Sequence, residues 1–95
     1  MRATLGMVLL TFRVAQAGSL KDKRRILKSF KDRLRNRYNV SVSEVDAQDS
    51  IRQAVLAVAM VGSEKSFVEG RLQMIINVAA RHRDMILVDQ AIDWF

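Results

Sequence analysis

Ninety-five residues, 49% hydrophobic and 27% charged, suffice for one globular domain over residues 1–95 with a modest core, and leave no room for two. The lack of cysteine excludes a disulfide scaffold, thiol catalysis and thiolate metal sites. The formal net charge of +6 comes from 16 bases against 10 acids, and its location is more informative than its size.

In chain order, Leu5 to Val14 is apolar and β-branched enough to predict a buried strand, which Ala15-Gln16-Ala17-Gly18 breaks. Ser19 stands where an N-cap belongs, its hydroxyl free to accept from an amide of the first turn. At 100° per residue Leu20, Ile26, Leu27, Phe30 and Leu34 share one arc, predicting a core-facing helix through about Asn36. Tyr38 to Val45 alternates, with Val40 and Val42 against Ser41 and Ser43, as a half-buried strand does. Residues 46–50 are polar loop, and Arg52 to Val61 reads as a second continuously apolar strand. Gly62 turns the chain and Ser63 is the next N-cap candidate. Val68, Leu72, Ile75, Ile76 and Ala79 mark a second amphipathic helix ending near His82. Gly70 inside it should cost about 1 kcal/mol relative to alanine, which predicts a close neighbour there. Met85 to Trp94 closes as a strand, Ile86, Val88 and Ile92 alternating with Asp89, Ala91 and Asp93.

The order is β-α-β-β-α-β. Two right-handed split crossovers of this kind predict an α+β ferredoxin-like βαββαβ sandwich: a four-stranded antiparallel sheet with two helices on one face. That topology puts the first and third strands, the two most apolar, in the centre.

The charge is concentrated. Ser19 to Arg37 holds nine bases and two acids, while the rest of the chain holds seven bases and eight acids. On a helical projection Lys21, Arg24, Arg25, Lys28, Lys31 and Arg35 fall within about 120°, a stripe about 21 Å long facing away from the apolar arc. A merely solvated face would alternate signs at i, i+4, whereas only Asp22 and Asp32 interrupt this one. Lys21, Lys23, Arg24 and Arg25 also crowd the helix N-terminus, where the macrodipole disfavours each cation by about 0.3–1 kcal/mol. The stripe therefore predicts a polyanionic partner, RNA or the ribosome. The competing reading is a solvated face with no partner.

The sheet face without helices should show Met7, Leu9, Thr11, Val55, Ala57 and Ala59, together with Leu87 and Ala91. An apolar surface of that extent predicts a homodimer or another partner. Base stacking of the RNA-recognition-motif kind is excluded, because the only aromatic of the two central strands, Phe12, points inward. Catalysis has little to work with. His82 reads as a surface or capping residue, and Glu44, Asp46 and Asp49 read as loop polarity able to pair with the basic helix. No phosphate loop, dinucleotide motif, nucleophile elbow or zinc pattern occurs. The expectation is a non-enzymatic protein with no catalytic residue, cofactor or metal. Trp94 and Phe95 are expected to cover a sheet edge. With no membrane span and no secretory leader in Met1-Arg2-Ala3-Thr4, a cytoplasmic location is expected.

The run Ser19-Leu20-Lys21-Asp22-Lys23-Arg24-Arg25, continued by Arg33-Leu34-Arg35-Asn36-Arg37-Tyr38-Asn39-Val40-Ser41-Val42-Ser43-Glu44-Val45 and Gln48-Asp49, resembles the YlxP-like family of small bacterial proteins of unknown function. Gly6, Ala54-Val55 and Leu87-Val88-Asp89 fit the same pattern, so the resemblance spans nearly the whole chain. It implies a ferredoxin-like fold and genes placed near those of translation and ribosome maturation. It implies no catalytic residues.

Overall fold

The computed structural model describes residues 2–95. Its elements are β1 (Thr4–Arg13), α1 (Leu20–Arg37), β2 (Ser41–Asp46), β3 (Gln53–Gly62), α2 (Lys65–Ala80) and β4 (Ile86–Trp94). The strands form one sheet in the order β2-β3-β1-β4, every neighbouring pair antiparallel. This is the expected ferredoxin-like sandwich, with the two most apolar strands at its centre.

Alternation along β1 and β3 decides which side chains meet the helices. Val8, Leu10 and Phe12 pair across the sheet with Val58, Leu56 and Ala54, and all six are fully buried. Leu27, Phe30 and Leu34 of α1 close over them, as do Val68, Leu72, Ile75, Ile76 and Ala79 of α2. Phe12 and Phe30 meet edge to face, centroids 5.6 Å apart. Burying each large apolar side chain contributes about 1.5–3 kcal/mol, so this layer supplies the main driving force. The opposite face carries Met7, Leu9 and Thr11 beside Ala59, Ala57 and Val55, each only partly exposed among its neighbours.

Several expectations are corrected. Ser19 does cap α1, accepting from the Asp22 N–H at 3.1 Å, but Ser63 does not cap α2. Gly62 still pairs with Thr4 in the sheet, so β3 ends one residue late and Glu64 takes the capping position without a side-chain bond. Tyr38 closes α1, its N–H donating to the Leu34 carbonyl, which delays β2 to Ser41. A methyl group at Gly70 would meet nothing within 4 Å; close approach occurs instead at Gly62, where an added methyl would lie 2.8 Å from Val68 Cγ2, and at Gly6. There an added methyl would lie 2.7 Å from Trp94 Cζ3.

The expected alternation of β4 fails at a β-bulge. Thr11 stands opposite Asp89 but the next residue, Phe12, stands opposite Leu87. The extra residue, Val88, flips everything before it. Leu87 therefore packs towards the core with Ile92 and Trp94, not on the open face, and Ile86 and Val88 are exposed. Trp94 covers Gly6, while Phe95 remains exposed. Among the described residues no helix is long and apolar enough to cross a membrane.

Candidate nucleic-acid interface

The fourth buried position of α1, beside Leu27, Phe30 and Leu34, is Lys23. Its side chain is 1% exposed and its ammonium lies 2.9 Å from Glu44 Oε2. It also donates to the carbonyls of Ala47 and Ser50, each at 2.7 Å. The loop between β2 and β3 folds back to present those carbonyls, with Ala47 in the left-handed region at φ 59°. Lys23 thus ties α1 to the loop and is withdrawn from the basic surface. Of the three acids expected to pair with the basic helix, Glu44 alone does so, through this contact; Asp46 instead accepts from the N–H of Ala47, and Asp49 has no ion pair among the described residues.

The six nominated residues divide into two groups. Lys21, Arg24 and Lys31 have no carboxylate within 4 Å among the described residues. Arg25 pairs with Asp22 at 3.2 Å and Lys28 with Asp32 at 2.8 Å, both cationic side chains being 76% exposed. Arg35 contacts the other oxygen of Asp32 at 3.5 Å and donates to the Val42 carbonyl of edge strand β2 at 2.9 Å. The Lys28 hydrogen bond, with Arg35 and Lys31 nearby, holds the Asp32 carboxyl below its usual value. Asp22 accepts from the Gly18 N–H as well as pairing with Arg25, which offsets part of the cation crowding at the helix start. The six cations do lie along α1, with Lys31 only partly exposed, but Asp32 sits among them and neutralises part of their middle.

A second cationic group was not nominated from the sequence. On the flank of α1 that faces α2, Arg33 and Arg37 border a groove whose other wall carries Arg81 and Arg83. His82 joins them, its ring edge-on to Phe30 at 5.4 Å and its Nδ1 accepting from the Asp84 N–H at 3.0 Å. Burial, then the nearby Arg33, holds its pKa below the ordinary 6.5; Asp84 pulls the other way and Arg83 adds to the lowering. Sequence spacing separates the two arginine pairs by more than forty positions. Only their alternation within each segment could have drawn attention to them.

Fold and surface together define a small ferredoxin-like α+β protein that carries an arginine- and lysine-rich helical face. The chain belongs to the family described as protein of unknown function DUF503, whose model matches residues 5–92. It is 38% identical over 63 residues to the uncharacterized protein YlxP of Bacillus subtilis (strain 168), an overlap covering 66% of this chain and 68% of the other. The family resemblance carried by Ser19 to Asp49 is therefore shown. Neither comparison brings a function with it.

Proposed function

We propose that the protein binds RNA, free or within the ribosome, through the solvent-facing cations of α1, and acts by binding rather than by catalysis. The observation that carries this reading is that Lys21 and Arg24, exposed, and Lys31, partly exposed, lie on one helix without carboxylate partners among the described residues. Arg25 and Lys28 flank them in exposed ion pairs. Exposed pairs are weak, and a phosphate can take the place of the carboxylate with stronger, charge-assisted bonds. The two side chains best suited to acid–base work have structural partners: His82 holds the Asp84 backbone and Glu44 holds Lys23. Contacts of this kind are to phosphates, so little sequence preference is expected.

Co-sedimentation with ribosomal subunits tests the reading. The protein should pellet with them at low salt and leave at high salt, and Lys21→Glu/Arg24→Glu/Lys31→Glu should remain in the supernatant throughout. A triple variant that pellets like the wild type removes the proposal.

A second reading is a homodimer or small-ligand module using the open sheet face. It is favoured by the exposure of Leu5 and Val61, 40% and 57%, which extend the face of Met7, Leu9, Ala57 and Ala59. Asp89 and Asp93 stand beside Thr11 and Met7 on that face, and two copies brought face to face would have to accommodate them. Sedimentation equilibrium of the wild type and Leu9→Lys separates the cases: a dimer lost on substitution supports this reading, and a monomer in both forms removes it.

A further inference from the structure

The groove between α1 and the end of α2 brings together four arginines with one acid. Arg33 and Arg37, one turn apart on α1, form one wall; Arg81 and Arg83 form the other, around a depression of about 600 Å³. Among the described residues Arg33, Arg37 and Arg81 have no carboxylate within 4 Å, and Arg83 reaches only Asp84, at 3.9 Å. The carbonyls at the two helix C-termini offset part of the mutual repulsion. Among the described residues none of the four guanidinium groups donates a side-chain hydrogen bond, and their planar, paired N–H geometry matches phosphate oxygens. The Ser29 hydroxyl stands in the same lining as a further donor.

A neighbouring depression along α1, which includes Arg25 and Lys28, shares Ser29, Arg33 and Arg37 with the groove. Cationic side chains therefore continue from the outward stripe around α1 to the end of α2.

We propose that this groove is a second phosphate-binding site, holding a phosphoryl group between Arg33 and Arg37 on one side and Arg81 and Arg83 on the other. Its ligand chemistry is a phosphoryl group, supplied by an RNA backbone that crosses α1 or by a free oligophosphate. The site stands on its own residues and does not require the stripe to bind RNA.

The chain has one histidine, and His82 lies in the groove lining. Its ring protons therefore report on an anion among these arginines without any label. The charged groups of the lining around the ring are Arg33 and Arg37 from α1, and Arg81, Arg83 and Asp84 from the segment after α2. An anion that screens the arginines raises the midpoint of the imidazole titration.

The test is proton NMR of the His82 ring in the intact chain, titrated with inorganic pyrophosphate and separately with a short oligouridylate. The expected result is a saturable shift of the Cε1 proton and a higher titration midpoint. In Arg81→Glu/Arg83→Glu the apparent affinity should fall at least about tenfold, the loss expected when charge-assisted phosphate bonds are removed. Arg81→Gln/Arg83→Gln, which keeps polarity and adds no acid, should weaken it in the same direction. Saturation by pyrophosphate assigns the site to free oligophosphates; a shift only with the oligonucleotide assigns it to an RNA backbone. A resonance unmoved by both ligands, or moved equally in the arginine variants, overturns the proposal. Lys21→Glu/Arg24→Glu/Lys31→Glu separates the two readings. If it binds RNA as the wild type does while His82 still responds, the stripe reading fails and the groove stands.

Discussion

Replacing Lys23 by methionine keeps the length of the side chain and removes its charge. The substitution strands Glu44, whose side chain is only 17% exposed, and releases two carbonyls from bonds of 2.7 Å. Ala47 and Ser50 are only half-buried, so water can replace part of what they lose, about 1 kcal/mol each. One-sided removal of a buried ion pair costs about 3–5 kcal/mol, and the remaining exposure of Glu44 places this case near the lower end, at about 3 kcal/mol. In a chain of this size that corresponds to a fall in Tm of about 12–24 °C. Lys23→Met/Glu44→Leu removes the stranded carboxylate and should recover most of the loss, whereas Lys21→Met on the surface should change stability by less than about 0.5 kcal/mol. Thermal and urea unfolding followed by circular dichroism measures all three. A Lys23→Met protein within about 1 kcal/mol of the wild type would refute the claim that this lysine pins the loop.

Gly70→Ala should stabilise the protein by about 0.5–1 kcal/mol, because the position is mid-helix and the added methyl meets no atom within 4 Å; the same unfolding curves show it. Gly6→Ala should destabilise by about 1–3 kcal/mol through overpacking against Trp94, with a shift in the emission of the single tryptophan. His82 has its pKa lowered in the folded chain, so on acidification the unfolded chain takes up the proton first. Its contribution to stability is full above pH 6.5 and is lost as the pH falls through the folded value; the fall in Tm between pH 7.5 and 5.5 should be shallower in His82→Gln. Asp32→Asn frees Lys28 and Arg35 from their shared partner, and filter binding should show RNA affinity rising severalfold.

The fold was legible because its signals are local and repeated. Two continuously apolar strands, a capping serine and two helical arcs agree on one topology, and all five residues of the second arc are buried. The errors lie where one residue changes the count. The bulge at Val88 inverts the start of β4, and the added pairing of Gly62 shifts the start of α2. The candidate interface was only partly legible for the same physical reason. Helical projection puts Lys21 and Arg24 on an exposed side of α1, because their placement depends on α1 alone. It puts Lys23 in the middle of the apolar arc, yet it cannot show that the ammonium there meets a loop more than twenty residues away, nor that Arg81 and Arg83 arrive beside Arg33 and Arg37. Those placements depend on how separate elements pack.

The most direct test of phosphate recognition by α1 is the salt dependence of RNA affinity. If about six phosphates are contacted, log K against log[salt] should fall with a slope of roughly −4 to −5. Substituting Lys21, Arg24 and Lys31 by glutamate should flatten the slope by at least about 2 and weaken binding at every salt concentration. Identical slopes and affinities in the wild type and the triple variant would contradict the account.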